Sequence, residues 1–292
     1  SDLPLNVSRE ILQQNRIMAK IRSNSVKKIL DKLKTVAGDK DKYAEFYDQY
    51  GRLIKEGVYQ DFEHKDALTE LLRFKSTKDE GLVSLREYVG RMREDQKSIY
   101  YITGQNQTSL RNSPLLEMYE KKDIEVLLLD DEIDEIIITA VPKYDEKDIK
   151  SVNRSGAADD FSDETDKEAE KSLKPVLKKI KKILGEKVKD VKLSNRLSDS
   201  PSCIVADEHD PTAQMQELMR SMGQADIPQI KPILEINPDH AIVIKLKDMT
   251  KKKSFDDISL LLYEQALIQE GVKLEDPSGF VERLNSVIVE TL

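Results

Sequence analysis

Five acidic residues stand close together directly after an apolar run at residues 124–129, and they are the densest group of possible metal ligands in the sequence. The group comprises Asp130, Asp131, Glu132, Asp134 and Glu135. Ligands often bind at the carboxyl ends of parallel strands, and Mg²⁺ prefers oxygen ligands, so one interpretation is a magnesium-dependent α/β enzyme. The other is that acids in a first helical turn complement the helix dipole. We favour the second interpretation.

Motifs for other chemistry are missing from the sequence. It contains no G-x-x-x-x-G-K phosphate loop, no G-x-G-x-x-G nucleotide fingerprint and no G-x-S-x-G nucleophile turn. His64, His209 and His240 lie far apart along the chain, and Cys203 has no second cysteine beside it. Because zinc needs several such ligands at close spacing, the sequence predicts no zinc site.

A lysine-rich helix is predicted around residues 173–184. The basic residues in and after it are Lys174, Lys178, Lys179, Lys181, Lys182, Lys187 and Lys189. Such a surface could attract anionic lipid or RNA, which would make the chain a binding module for anionic surfaces. Seven acids lie just before it in residues 156–171. The favoured alternative is therefore a solvated helix face whose charge is neutralised locally.

Methionine recurs on one face of a predicted helix that follows the Asp-Pro pair at residues 210–211. Met215, Leu218, Met219 and Met222 have the i, i+3, i+4, i+7 spacing of a single helical stripe. Methionine is unbranched and polarizable, so it adapts to irregular partners. Such a stripe is ordinarily part of a core, but its polar flanks also allow an exposed binding helix.

Composition and charge limit the class of protein. The chain has 292 residues, 38% hydrophobic and 35% charged, which fits an elongated, helix-rich protein of two domains. The net charge of −8 argues against nucleic acid as a main partner, and no apolar run is long enough to span a membrane. The single cysteine excludes an internal disulfide and fits the cytoplasm. Because the chain starts without methionine, we expect it to be a piece of a longer protein.

The order of the predicted elements gives a mixed fold that combines α+β and α/β features. Helices come first, and strand 99–103, helix 113–119 and strand 124–129 then form a parallel βαβ unit. Residues 159–171 are acidic and nearly free of apolar side chains, so they are predicted to be a linker. Further strands follow, then a helix predicted to begin at the Asn-Pro pair at residues 237–238, and two final helices.

The last two predicted helices carry more apolar surface than the core of one protomer needs. The residues that we assign to a dimer interface are Ile258, Leu261 and Leu262 on the first helix and Phe280, Leu284 and Ile288 on the second. Two such helices from each protomer would form an intermolecular four-helix bundle. We therefore expect a homodimer.

The first thirteen residues, SDLPLNVSREILQ, closely resemble a middle-domain motif of the ninety-kilodalton heat-shock chaperones. The resemblance continues through IYYIT at 99–103, LSNRL at 193–197, LEINP at 234–238 and LEDP at 274–277, so it covers most of the chain. It implies that residues 1–158 are the later part of the middle domain, with a helical coil and a small αβα unit. It also implies that residues 172–292 are a C-terminal dimerisation domain.

The resemblance further implies that the ATP-binding N-terminal domain of the family is absent from this chain. We expect no enzyme activity and no cofactor in the fragment, whereas the full-length protein would be an ATPase that uses ATP and magnesium. Arg9 matches the arginine of the family that reaches the γ-phosphate, and Gln13 matches the glutamine that assists it. That role would explain a cation in a first helical turn, where the dipole disfavours it.

The expected partners are a second copy of the chain and partly folded client proteins. By resemblance, Met215, Leu218, Met219 and Met222 lie in a segment that contacts clients. Ile136 stands where bacterial relatives carry an exposed tryptophan for the same contact. The chain ends in Ile-Val-Glu-Thr-Leu rather than the Glu-Glu-Val-Asp tail that docks tetratricopeptide co-chaperones, so those partners are not expected.

In the full-length protein, replacing Arg9 by alanine is expected to slow ATP turnover, by about tenfold for each 1.4 kcal/mol of transition-state stabilisation lost. The guanidinium would supply positive charge where the transferring phosphoryl group accumulates negative charge. Lysine should substitute poorly, since it lacks the planar fork that grips two phosphate oxygens. Steady-state ATPase rates test this. An unchanged rate, or a loss of fragment stability well above about 0.5 kcal/mol, would contradict the role.

Overall fold

The structure is a computed structural model that describes residues 16–161, 167–223, 230–249 and 252–291. It combines helices with two small mixed sheets, which confirms the predicted mixed class of fold.

The chain divides into two compact units. The first consists of Ser1–Arg73 with Ser84–Arg86, and the second consists of Phe74–Val83 with Glu87–Leu292.

Helices make up the described part of the first unit. They are α1 (Arg16–Val36), α2 (Lys40–Gln60) and α3 (Lys65–Thr69). Asp39 caps α2, because its side chain accepts from the N–H of Lys42 at 3.3 Å. The hydroxyl of the buried Tyr43 donates to the carbonyl of Leu71 at 2.7 Å, which fixes α2 to the segment after α3.

The larger sheet of the second unit has the strand order β1-β3-β2-β5-β4. Its strands are β1 (Lys75–Ser76), β2 (Ser98–Thr103), β3 (Val126–Leu129), β4 (Lys143–Tyr144) and β5 (Lys147–Ser151). β2 is parallel to β3 and β5, whereas β1 and β4 are antiparallel to their neighbours. The register pairs Tyr100 with Val126 and Thr103 with Leu129. This confirms the predicted parallel βαβ unit.

Short helices connect these strands. They are α4 (Leu85–Arg91), α5 (Gln107–Arg111), α6 (Glu117–Lys121) and α7 (Asp134–Ala140), with 3₁₀ turns at Pro114–Leu116 and Ser155–Phe161. Ser113 caps the first turn by accepting from the N–H of Leu115 at 3.3 Å, and the proline follows it at the first position. The Ser-Pro pair therefore begins a helical segment as its sequence predicts.

The smaller sheet has the order β6-β8-β7, with β6 parallel and β7 antiparallel to β8. Its strands are β6 (Asp190–Leu193), β7 (Ser202–Val205) and β8 (Ile233–Ile236). The helices in this part of the chain are α8 (Lys167–Leu184), α9 (Ala213–Ser221), α10 (Ala241–Lys247), α11 (Lys252–Gln269) and α12 (Pro277–Thr291), with a 3₁₀ turn at Gly185–Lys187.

The prediction that a helix begins at residues 237–238 is wrong, because α10 begins at Ala241. His240 is its N-cap, and Nδ1 of the imidazole accepts from the N–H of Ile242 at 3.2 Å. Asn237 instead serves the turn before β7, where its Nδ2 donates to the carbonyls of Ser198 and Ser200 at 3.3 and 2.9 Å.

The core of the larger sheet continues beyond the predicted linker. Side chains of β2 and β3, Tyr100 and Val126 among them, lie in one buried cluster with Cys203 of β7 and Ile233 of β8. A second cluster joins α8, α10 and α11 to the smaller sheet. Residues before 159 and after 171 thus share a core. The division into two domains at this linker stays a prediction.

A buried ion pair lies where these two parts of the second unit meet. The side chain of Arg196, three residues after β6, has no solvent exposure, and its Nε donates to Oε2 of Glu235 on β8 at 3.0 Å. Its other N–H groups donate to the carbonyls of Val152, Arg154 and Ser155, directly after β5, at 2.6, 3.1 and 3.2 Å. One guanidinium therefore joins the end of the larger sheet to the smaller sheet.

Asn153 provides a second link in the same place. Its Oδ1 accepts from the N–H of Thr103 at 2.9 Å, and its Nδ2 donates to Oε2 of Glu270, just after α11, at 3.3 Å. Burial raises the pKa of Glu270 to about 7, against the favourable effects of Asn153 and Arg196 on its charged form.

Replacing Arg196 by alanine is expected to reduce the free energy of unfolding by about 3 to 5 kcal/mol, because it leaves a buried carboxylate and three carbonyls, one of them buried, without their donor. Urea unfolding followed by circular dichroism measures this loss. The control is Lys143→Ala, which removes the exposed ion pair to Asp148 and should change stability by less than about 1 kcal/mol.

The double variant Arg196→Met, Glu235→Leu should recover part of the loss, because no unpaired charge remains buried. A single Arg196→Ala variant as stable as the Lys143→Ala control would show that the two parts are held together by other contacts.

Candidate functional site

Arg9 and Gln13 lie outside the described residues. The structure therefore places the predicted client-contact and dimer residues, and it gives no geometry for the predicted ATP contacts.

Helix α9 carries the methionine stripe and contains no buried residue. Met215, Leu218 and Met219 are half-buried, and Met222, the C-cap, is 66% exposed. None of the four side chains belongs to either buried cluster. The core interpretation therefore does not describe this helix, and the stripe lies at the surface of the second unit.

The first turn of α9 is fixed by one hydroxyl that makes two kinds of hydrogen bond. Thr212 is the N-cap, and its Oγ1 accepts from the N–H of Met215 at 3.2 Å. The same hydroxyl lies 2.6 Å from both carboxylate oxygens of Glu135 on α7, to which it donates. Both Thr212 and Glu135 are buried. The helix that carries the stripe is thus attached to the larger sheet at its N-terminal end.

The loop before α9 is held from the same side. The guanidinium of Arg154 donates to the carbonyls of Asp207, Glu208 and Asp210. Nε2 of Gln214, in the first turn of α9, donates to the carbonyl of Gly104 at 3.2 Å. Together with Thr212, these contacts fix where the helix begins and leave its methionine-bearing side at the surface.

Ile136 lies on α7 next to the carboxylate that anchors α9. Its side chain is half-buried, whereas Ile137 and Ile138 are 3% and 2% exposed and belong to the interior. Because Glu135 binds Thr212, the two elements predicted to contact clients are connected through the Thr212 hydroxyl. Their relative position is set by the fold.

The acidic group after β3 does not converge on one point. Oδ2 of Asp130 accepts from Nζ of Lys75 at 2.7 Å, Asp131 and Asp134 bond to main-chain N–H groups within their own turn, and Glu135 faces α9. Among the described residues, no group of three or more His, Cys, Asp or Glu side chains is placed to hold a metal ion. Asp134 and Glu135 stand in the first turn of α7, as the helix-dipole interpretation predicts.

The basic side chains around α8 are partly neutralised by acids elsewhere in the second unit. Nζ of Lys181 lies 2.8 Å from Asp190, and Nζ of Lys189 lies 2.8 Å from Asp210. Lys179 instead lies over the ring of Phe255, 3.4 Å from its centroid. The neutralising acids shown here follow the helix and do not belong to the predicted linker.

The residues assigned to the dimer interface divide into two groups. Leu262 is 2% exposed and packs in the core of its own chain, so its side chain is used within the protomer. Ile258, Leu261 and Phe280 are half-buried, while Leu284 and Ile288 are 39% and 45% exposed. The sequence predicts more apolar surface on α11 than the core of one protomer needs. In the structure, much of that surface is buried against β7 and α8 of the same chain.

Helix α12 is held along α11 and leaves a second side open. The guanidinium of Arg283 binds the carboxylate of Glu264, and the hydroxyl of Ser254 donates to Oε2 of Glu290 at 2.7 Å. On another side, Val281, Leu284 and Ile288 form an exposed apolar stripe with i, i+3, i+7 spacing.

Comparison with known proteins gives a match along the entire sequence. The family model described as Hsp90 protein matches residues 1–292. The chaperone protein HtpG of Treponema denticola is 52% identical over 98% of this chain, and the proteins of the same name from Aliarcobacter butzleri and Borrelia garinii are 50% and 45% identical over all of it. The chain belongs to the Hsp90 family.

The chain spans about half the length of the curated relatives it matches, since the alignments cover 46% to 47% of those HtpG proteins. Membership of the Hsp90 family and the dispersed acids together leave the magnesium-enzyme interpretation without support. None of the described helices is long and apolar enough to cross a membrane.

The sequence analysis did not identify the residues that position helix α9. Thr212 stands three residues before Met215, which is the spacing of an N-cap to the N–H it accepts, so this signal was present. Arg154 gave no signal, because its acceptors are carbonyls more than fifty residues further along the chain.

Replacing Glu135 by glutamine tests how the anchor responds to pH. Burial raises the pKa of Glu135 above its ordinary value of 4.5, and Thr212 and Arg154 offset this only in part. The folded chain therefore holds this proton to higher pH than the unfolded chain does, so this group's contribution to stability falls as pH rises above about 4.5. Glutamine removes that loss and still offers an oxygen to Thr212.

We expect Glu135→Gln to be more stable than the unmodified chain near pH 8, and equal to it near pH 4. Urea unfolding at both pH values measures the difference. The control is Glu132→Gln, because Glu132 is exposed just before α7 and its replacement should change stability by less than about 0.5 kcal/mol. A Glu135→Gln variant that is less stable near pH 8 would mean that attraction to Arg154 outweighs the cost of burial.

Proposed function

We propose that this chain is the part of an Hsp90-type chaperone that binds partly folded client proteins and joins two protomers. The observation that carries the proposal is α9, whose apolar stripe is half-buried at three positions and exposed at Met222, although its first turn is anchored in buried polar contacts. A helix that stays apolar at the surface while it is held firmly in place is suited to binding exposed apolar segments of other proteins.

Methionine gives this surface its tolerance of different clients. Its unbranched, polarizable side chain repacks against many shapes, which suits a partner whose structure is incomplete. Ile136 is a further half-buried apolar side chain, on α7 next to the anchoring carboxylate. The curated relatives are named as chaperone proteins, which is the function that this surface supports.

In the full-length protein, we propose that client binding is coupled to ATP hydrolysis. ATP and magnesium would be held by a preceding N-terminal domain, and Arg9 and Gln13 would reach the nucleotide from this chain. The resemblance of residues 1–13 to the family motif supports this assignment. We place the protein in the cytoplasm, where the free and buried Cys203 is compatible with reducing conditions.

We propose that α11 and α12 of two protomers form an intermolecular four-helix bundle. The exposed stripe of Val281, Leu284 and Ile288 would supply the central contacts, with Ile258, Leu261 and Phe280 beside it. An apolar stripe of this kind on a C-terminal helix is the pattern of a symmetric helical interface.

The double variant Met215→Ser, Met219→Ser tests client binding. It should weaken the suppression of aggregation of a chemically unfolded protein, because it removes two soft apolar contacts. Stability should fall by less than about 1 kcal/mol, since neither side chain is buried. Light scattering of the unfolded protein with and without the chain, combined with urea unfolding, measures both effects.

The matched control is Glu217→Ser, an exposed residue of the same helix outside the stripe. It should suppress aggregation as well as the unmodified chain does. Equal suppression by the double variant would contradict the proposal, and so would a loss of 2 kcal/mol or more, about what truncation of buried methionines costs.

Replacing Leu284 by glutamate tests the dimer. A charge placed in the centre of an apolar interface should convert the dimer to a monomer at micromolar concentration, because the buried carboxylate would have no partner. Multi-angle light scattering gives the mass. The control is Asn285→Glu, which adds the same charge about 100° further round the helix and should leave the dimer intact. An unmodified chain that is already monomeric would overturn this part of the proposal.

A further inference from the structure

The outer edge of the smaller sheet borders a groove that the proposed function does not use. β6 stands first in the strand order and, among the described strands, pairs only with β8. The unpaired side of an edge strand presents main-chain N–H and C=O groups that can pair with another chain. Helix α8 packs against β6, and a groove of about 570 Å³ lies between them. This volume is within the range of cavities that bind ligands.

The two walls of the groove differ in chemistry from those of an ordinary apolar cleft. The helix wall consists of Lys174, Leu177, Lys178 and Lys181, and the strand wall consists of Asp190, Val191, Lys192, Leu193 and Asn195. The helix residues have i, i+3, i+4, i+7 spacing and so share one face. Leu177 and Leu193 are half-buried and Val191 is buried, whereas the lysines are exposed. The groove therefore combines apolar side chains with basic ones.

The charge of the groove is strongly positive. Four lysines face one acid, Asp190, whose Oδ1 lies 2.8 Å from Nζ of Lys181. Among the described side chains, Lys174, Lys178 and Lys192 form no ion pair. Low-dielectric walls lined by one sign of charge concentrate ligands of the opposite sign. The electrostatics therefore favour an acidic ligand, although the chain as a whole is acidic.

Asp190 already makes the two kinds of contact that an acidic ligand could make in this groove. The oxygen that binds Lys181 also accepts from the main-chain N–H of Val191, on the edge strand, at 2.9 Å. One side chain thus satisfies both a lysine of the helix wall and a main-chain donor of the strand wall. An incoming chain with acidic side chains could replace both contacts, with its carbonyl on the strand and its carboxylate on the lysine.

We propose that this groove binds an extended acidic segment of a partner protein, which adds to β6 as a further strand. Main-chain hydrogen bonds to the edge would give affinity, as in other cases of strand addition. Acidic side chains at every second position would point to the same face and reach the lysines of α8. The groove shares no residue with α9 or α12, so the proposal is independent of client binding and dimerisation.

The first experiment measures binding of a fluorescein-labelled peptide, Asp-Val-Glu-Val-Asp-Val-Glu, by fluorescence anisotropy. We expect saturable binding that weakens as salt is raised, and no binding of the same peptide with lysine in place of its acids. A version that is N-methylated at alternate amides cannot complete the strand pairing and should bind at least about tenfold more weakly. Equal binding of the methylated peptide would overturn strand addition.

The second experiment locates the site with matched variants. The double variant Lys174→Glu, Lys178→Glu should bind the peptide about tenfold more weakly, because two attractive charges become repulsive. Lys182→Glu is the control, since this exposed lysine lies on α8 outside the groove, and it should change the affinity less than about twofold. Asp190→Ser should bind more tightly, because it removes the competing carboxylate. Circular dichroism checks that each variant is folded.

Equal affinities for Lys182→Glu and the double variant would place the peptide elsewhere and overturn the proposal. So would weaker binding by Asp190→Ser. Binding of two other anionic ligands is measured in parallel with the peptide. They are vesicles of equal parts phosphatidylglycerol and phosphatidylcholine, and single-stranded RNA. If these bind through Lys174 and Lys178 while the peptide does not, the lysine face of α8 is an anionic-surface site and the proposal is wrong.

Discussion

The second unit depends on a charge that is completely removed from water. Burying a guanidinium is costly unless every N–H group is satisfied, and Arg196 meets this condition only when the end of β5 and the strand β8 are both in place. The interaction therefore stabilises one relative placement of the two sheets over others. The shared core around Tyr100 and Cys203 adds apolar burial to the same arrangement.

The surface predicted to bind clients follows from this placement. The carbonyl of Arg154 accepts from Arg196, while its own guanidinium holds the carbonyls of the loop before α9. Thr212 then connects the start of α9 to Glu135 on α7. Hydrogen bonds of Arg196, Arg154 and Thr212 thus hold the region of the buried ion pair, the loop before α9 and the first turn of the methionine helix in place. They explain how a helix without any buried residue can have a defined position.

Charged residues in this chain take on different roles according to the partners that the fold gives them. The acids after β3 are compatible in sequence with a metal site or, as we favour, with a first helical turn. In the structure they bind a lysine, main-chain N–H groups of their own turn and the N-cap of α9. The lysines of α8 look uniform in sequence, yet Lys181 is paired and Lys179 lies on an aromatic ring. Lys174 and Lys178 face a groove instead, which makes them available to a ligand.

The sequence by itself determined the features that depend on nearby residues. Apolar periodicity and the Ser-Pro cap predicted the parallel βαβ unit. The spacing of Met215 to Met222 predicted the stripe on α9. Both features depend on residues that are close together in sequence. Tertiary structure alone decided which side chains are buried and with what partner. Leu262 is used within the protomer, Asn237 serves a turn rather than a helix cap, and Arg196 is satisfied by a carbonyl 44 residues away in sequence. No local pattern carries that information, since the energy of a buried polar group depends on groups that only folding brings to it.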